Sequence, residues 1–431
     1  LRLNDSLALT GTFSNNGRTL IGAGNIGLTA SSATFIGLVD AAASGANFTV
    51  TSTNAGGLVN FANSIGSGFA LNSLTVSGPA ETRVRNLVRA GSAIFNSKTT
   101  IQSNTTFNGG PVVFNSSLDS GAGGAYSATF LGGPVSLLGG VGQTNALSSL
   151  LTVSNAVVSG NVRTLGSQTY GGNLNVTGAS SFLASGAWSV LGATELGADA
   201  SVVMTPTGAI PQPTVYFAGA IDSPGARDLL VTSAGIITFA SDIGAGSALR
   251  NLTVNGGGLT RIGGITRLTS SGLGQFFNQT ELLSDLSLQG GSFAFKDVLD
   301  SGAAGPFSLT ATGPGTVSFE KNVGVGRALR SIDTTAVALT EVGGNVATTQ
   351  GQSYSQTRLI GPAGDRSFSA LSGDIFFAGA VAAASTDIGI LANTPGLVTF
   401  SSTVGSGVSG AGAVADIRRT GGGQTILGGN T

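Results

Sequence analysis

Apolar and polar residues alternate in short runs along the whole chain. Phe48-Thr49-Val50-Thr51, Leu74-Thr75-Val76, Leu252-Thr253-Val254 and Leu286-Ser287-Leu288 are representative. A period of two puts one side chain set on each face of a strand, apolar on one side and hydroxyl-bearing on the other. Gly, Asn, Pro or Asp-Ser interrupts these runs about every ten residues, which marks turns. No helical period is sustained. Gly is spread everywhere, at a cost of ~1 kcal/mol per residue inside a helix relative to Ala. The segment from Phe277 to Gln289 comes nearest to a helix, but its counterparts elsewhere alternate, so it is predicted to be strand.

The runs belong to a larger repeat. One element reads GLVNFANSIGSGFALNSLTVSG from Gly57 and returns with anchors at Phe61, Leu137, Phe239, Phe319 and Phe400, spaced 76, 102, 80 and 81 residues. A second element precedes each copy, with anchors Phe35, Phe114, Phe217, Phe295 and Phe377, spaced 79, 103, 78 and 82. A third fills the rest: AIFNSKTTIQ, QTYGGNLNVTG, QFFNQTELLSD and QSYSQTRLIGP. The period is therefore about 80 residues, with one extra coil inserted at about 177–214, around Trp188. Self-similarity at a fixed period is the mark of a stacked repeat.

Many short strands could close as tandem sandwiches, a membrane barrel or a solenoid. Sandwiches in tandem need linkers, and no linker composition separates the units. A barrel of roughly 30 strands needs aromatic girdles and a charged lumen. The chain has four Tyr, one Trp and 9% charged residues. A parallel β-solenoid fits: each coil is completed by its neighbours, and its tight corners favour Gly and Asn. The expected fold is one continuous all-β solenoid over residues 1–431, with superrepeats of about four coils of roughly 20 residues, about 20 coils in all. Phe61, Phe239, Phe319 and Phe400, and with them Phe114, Phe217, Phe295 and Phe377, are expected to point inward.

Composition narrows the chemistry. There is no Cys and no His, so thiol chemistry, Cys/His zinc sites and His-based acid–base catalysis are excluded. Net charge is −1, with 19 basic residues scattered along 431. The densest groups are Arg83, Arg85 and Arg89 and the pair Arg418 and Arg419. Nucleic-acid binding needs a basic stripe, so these read as solvated turn residues. No run of about 20 apolar residues is present, so no transmembrane helix is expected.

The pattern G-x-[VI]-T-F-x-x-x-[VI]-G-x-G-x-A-L-x-x-L-T-V resembles repeats of filamentous-haemagglutinin-like and autotransporter-type bacterial adhesins, over about Leu7 to Gly429. The resemblance implies right-handed β-helix shafts, export to the cell surface or medium, and a role in adhesion, aggregation or matrix building. That family's N-terminal secretion domain is not recognisable here, and there is no Arg-Gly-Asp. Its secretion route and ligand therefore do not carry over.

Candidate sites are few. Asp40, Asp119, Asp222 and Asp300 recur once per unit, the last three followed by Ser. One acid per loop is too few for calcium, which takes six to eight oxygens. Asp-Ser-Gly is instead a turn, the Asp bonding its own backbone two residues on. Gly256-Gly257-Gly258 and Gly421-Gly422-Gly423 lack the Gly-Lys-Ser/Thr of a phosphate loop. Seven Asn-x-Ser/Thr sequons match chance in so Asn-, Ser- and Thr-rich a chain. Polysaccharide-cleaving β-helices cluster acids on adjacent coils. Here the closest pairs are Glu281 with Asp285 and Asp297 with Asp300, read as surface turn charges. Ice binding would need a Thr-x-Thr on every coil, and the Thr positions are irregular.

The expected function is a structural stalk or fibre segment of a secreted or cell-surface bacterial protein, without catalysis, cofactor or metal. The alternative is a ligand-contacting part of an adhesin, reading carbohydrate or a surface through an exposed solenoid face lined with aromatics. The chain starts without Met or a signal-like segment, so it reads as a mature product or interior fragment. Both ends align within one repeat cycle and show no cap. The expected partner is therefore more of the same, as continuing chain or as a stacked copy.

Overall fold

The structure, a computed structural model, describes residues 1–206, 212–385, 387–405, 408 and 412–428. Among them no helix forms, and the chain winds as an all-β parallel solenoid of about 18 turns with roughly 22 residues per turn. It divides into two compact units, Leu1–Pro213 and Thr214–Thr431.

In the first unit every turn contributes a strand or bridge to each of three parallel ladders. One runs through Ala46–Ser52, Ser73–Ser77, Ala93–Phe95, Val112–Phe114 and Val135–Leu137. A second runs through Ser32–Phe35, Leu58–Phe61, Glu81–Val84 and Thr99–Ile101. The third includes Leu87–Ala90, Thr105–Gly109 and Ala128–Gly132. Alternation decides which side chains enter: in Ala46–Ser52, residues Ala46, Phe48, Val50 and Ser52 are buried and Thr49 is exposed. The residues around Trp188 add one further turn, Trp188 lying in register with Gln168 and Thr194 with Leu174. Residues 207–211 of that insertion lie outside the described residues.

The second unit repeats the plan. Its strands include two long ones, Leu259–Phe276 and Gln279–Gln289, which pass around a corner and serve two ladders each. The second of these is the segment whose local sequence came nearest to a helix. Residues 429–431, which the alignment of the chain ends used, lie outside the described residues.

The core is a set of stacked columns. All eight Phe expected to point inward (Phe61, Phe239, Phe319, Phe400, Phe114, Phe217, Phe295 and Phe377) are buried. The reason both elements recur together is visible in the register. The second element's anchor lies directly beneath the first element's, one turn apart: Phe35 on Phe61, Phe114 on Leu137, Phe217 on Phe239, Phe295 on Phe319 and Phe377 on Phe400. Four of these are ring stacks, with centroids 5.0, 5.3, 5.7 and 4.8 Å apart and planes within 15°. The third element supplies the turn before. Phe95 stacks on Phe114, Phe276 on Phe295 and Tyr354 on Phe377. Such pairs contribute ~0.5–1.5 kcal/mol each beyond area burial.

The superrepeat is not a whole number of turns. A period of about 80 residues at roughly 22 per turn is about 3.6 turns. Successive copies therefore land on successive faces. In the second unit Phe239 lies in the ladder of Val215–Phe217, Phe319 in that of Ser292–Phe295 and Phe400 in that of Ile375–Phe377. These are three different ladders. In the first unit Phe61 and Leu137 likewise lie in different ladders.

Candidate functional site

The recurring aspartates are the most conspicuous polar feature. Asp40, Asp119 and Asp300 occupy the middle of three-residue strands, Val39–Ala41, Leu118–Ser120 and Leu299–Ser301, in which all three residues are buried. They do not bond their own backbone two residues on, so the expected Asp turn is corrected. Each reaches to the loop of the following turn, which is Gly-x-Gly for Asp40 and Asp300 and Gly142-Gln143-Thr144 for Asp119. Asp40 Oδ1 accepts the Gly68 N–H at 2.9 Å and Asp119 Oδ1 accepts the Thr144 N–H at 2.9 Å. Asp222 Oδ1 accepts Gly246 and Ser247, both at 2.9 Å, and Asp300 Oδ1 accepts Gly326 at 3.1 Å and Arg327 at 3.2 Å. The local turn is held by the following Ser instead. Ser120 Oγ accepts the Tyr126 N–H, Ser223 Oγ that of Arg227 and Ser301 Oγ that of Phe307. The Asp-Ser pair thus divides its work between the next turn and its own.

The loop glycines are fixed by this arrangement. Gly66, Gly142, Gly244 and Gly324 all have φ near +70°, a conformation that costs a side-chain-bearing residue ~1–2 kcal/mol. A Cβ there would also drive into a backbone oxygen of the next turn. The second glycine leaves room for the carboxylate: a Cβ on Gly246 or Gly326 would lie 3.0 or 2.5 Å from an oxygen of Asp222 or Asp300, whereas the second copy has Thr144 at this place. In the fifth copy Ala382 stands in place of the aspartate, and it packs with Ala380, Leu339 and Val408.

Charge is spent the same way. Arg18 pairs with Asp40 at 2.8 Å, and Arg261 with Glu281 at 3.2 Å. Lys296 pairs with Glu320 and Arg358 with Glu341. Arg250 holds Asp228 through two bonds of 2.7 Å, which together with Asn251 keep that carboxyl below its ordinary range against the opposing effect of partial burial. Every one of these joins neighbouring turns. Of the acid pairs considered for catalysis, Glu281 faces Arg261 while Asp285 takes Arg330. Asp297 accepts its neighbour's Val298 N–H, and Asp300 serves the loop. The register instead sets Glu281 beside Asp300, one turn apart. Arg83 pairs with Glu81, and Arg418 with Asp365 and Asp416. The Gly257 N–H of the first glycine run is taken by Asn278 Oδ1.

Two buried polar groups escaped the sequence reading. Gln168 and Gln352 are fully buried, each accepting from the phenol two residues on, Tyr170 at 3.4 Å and Tyr354 at 2.9 Å. Their amides donate to the Leu183 and Ser369 carbonyls one turn ahead. Burial pushes both phenols well above their ordinary range. The Q-x-Y spacing in two of the four copies of the third element was the available signal. Exposed aromatic side chains are Phe69 in the first unit and Tyr216 and Phe277 in the second. Tyr216 and Phe277 adjoin different ladders. No family model, curated protein or solved structure matches this chain.

Proposed function

We propose that the chain is a structural shaft segment of a secreted or cell-surface bacterial protein, working in adhesion, filament or matrix building and not in catalysis. The observation that carries this reading is the direction of the recurring devices. Aromatic stacks, aspartate-to-loop bonds and ion pairs such as Arg261 with Glu281 join one turn to the next. A molecule built this way transmits load along its stack, since each turn is held by its neighbours. The adhesin-like repeat pattern supports export, and the partner that follows is further solenoid, in the same or another chain.

The test is imaging of the native assembly with antibodies to this segment. Fibres or stalks labelled outside the cell support the reading. Label confined to the cell interior, or hydrolysis of a polysaccharide by the purified chain, overturns it.

A further inference from the structure

Glu195 is a carboxylate that joins no two turns. Glu195 stands in the middle of the strand Thr194–Leu196, exposed on the outward face, and has no ion-pair or hydrogen-bond partner among the described residues. Beside it is a depression of about 270 Å³ in the first unit, lined by Asn155, Asn173, Asn175, Val157, Ala193 and Glu195. Two of the three amides are fixed in orientation. Asn155 Oδ1 accepts the Asn173 N–H and Asn173 Oδ1 accepts the Ala193 N–H, both at 2.9 Å. With their oxygens committed to the backbone, their Nδ2 groups are left as donors in register, one per turn and about 4.8 Å apart. Asn175 lies between Val157 below and Glu195 above in the same ladder.

The lining therefore combines aligned donors, a single acceptor of full negative charge and an apolar floor. An anion would meet Glu195. A simple cation would leave the amide donors unused. Hydroxyl groups satisfy both, because each can donate to the carboxylate and accept from an amide. A pyranose ring is also about as wide as one turn is tall and offers an apolar face to Val157. We propose that this depression is a binding site for a neutral saccharide, with Glu195 and Asn175 as its contact residues. The site is independent of the shaft reading, since a shaft can carry it or lack it.

The experiment is saturation-transfer NMR on the whole chain with cellobiose and N-acetylglucosamine as neutral probes and glucuronate as the charged one, at millimolar concentration. The expected result is transfer to at least one neutral probe and at most weak transfer to glucuronate. Glu195→Ala and Asn175→Ala should each weaken binding about tenfold, while circular dichroism stays unchanged because both side chains lie on the surface. Glu195→Gln should narrow the gap between neutral and charged probes. No transfer to either neutral probe, equal binding in the alanine variants, or preference of the native chain for glucuronate overturns the proposal.

Discussion

Phe239 is buried and stacked on Phe217 with ring centroids 5.3 Å apart. Truncation removes the ring's transfer energy and leaves a cavity, so Phe239→Ala should cost ~3–5 kcal/mol. Phe69 is 69% exposed, and Phe69→Ala should stay within about 0.5 kcal/mol. Urea unfolding of the two variants checks the contrast. These inward Phe were legible in the sequence because one phase of a repeat keeps one environment. The aspartates were misread because the chain shows sequence neighbours, and the partners of Asp300 lie 26 and 27 residues on. Asp300→Ala should therefore leave the Gly326 and Arg327 N–H groups unpaired, at ~1–3 kcal/mol. Their amide hydrogens should exchange faster, and unchanged exchange at both would contradict the bond. Asp228 gives a pH signature. Its pKa is lowered by Arg250, so its contribution is present above the ordinary Asp value and is lost as pH falls through the lowered one. The Arg250→Gln variant should show a smaller loss of stability than the native chain over that acid window, measured by urea unfolding at stepped pH.

At the scale of the element, the Gly-x-Gly loop and the Asp strand form one unit although a turn of chain separates them. Gly324→Ala forces a φ of +67° on a residue with a Cβ and pushes that Cβ at the Ala347 oxygen. It should cost more than the ~1–2 kcal/mol of the backbone term alone, and thermal unfolding checks it. The pairing explains why both elements decay together. In the last copy Ala382 replaces the aspartate and packs with Ala380 and Val408. The Q-x-Y networks were hidden for a related reason. A Gln inside an apolar column is acceptable only with every hydrogen bond made, and its carbonyl partners, at Leu183 and Ser369, sit on the next turn.

For the whole chain, strand alternation, period and solenoid class could all be read from the residues, because stacking demands like on like. Turn length could be read only approximately, as roughly 20 residues against roughly 22, since the 80-residue period is about 3.6 turns and carries no mark of where a turn closes. The consequence is that bulky aromatic stacks and loops move from face to face and do not accumulate on one. The central claim is that contacts run turn to turn at this spacing, whatever the longer repeat. The absence of Cys allows a direct measurement with introduced cysteine pairs. Thr253 and Gln275 are register partners on adjacent turns, within the Cα separation a disulfide spans. Thr238 and Thr399 hold equivalent places in two copies of the repeat but pair with Arg261 and Ile426 on separate ladders. Under mild oxidation the pair T253C/Q275C should cross-link fully within the monomer and T238C/T399C should not. Free thiols in the first pair, or an intramolecular cross-link in the second, would contradict the account.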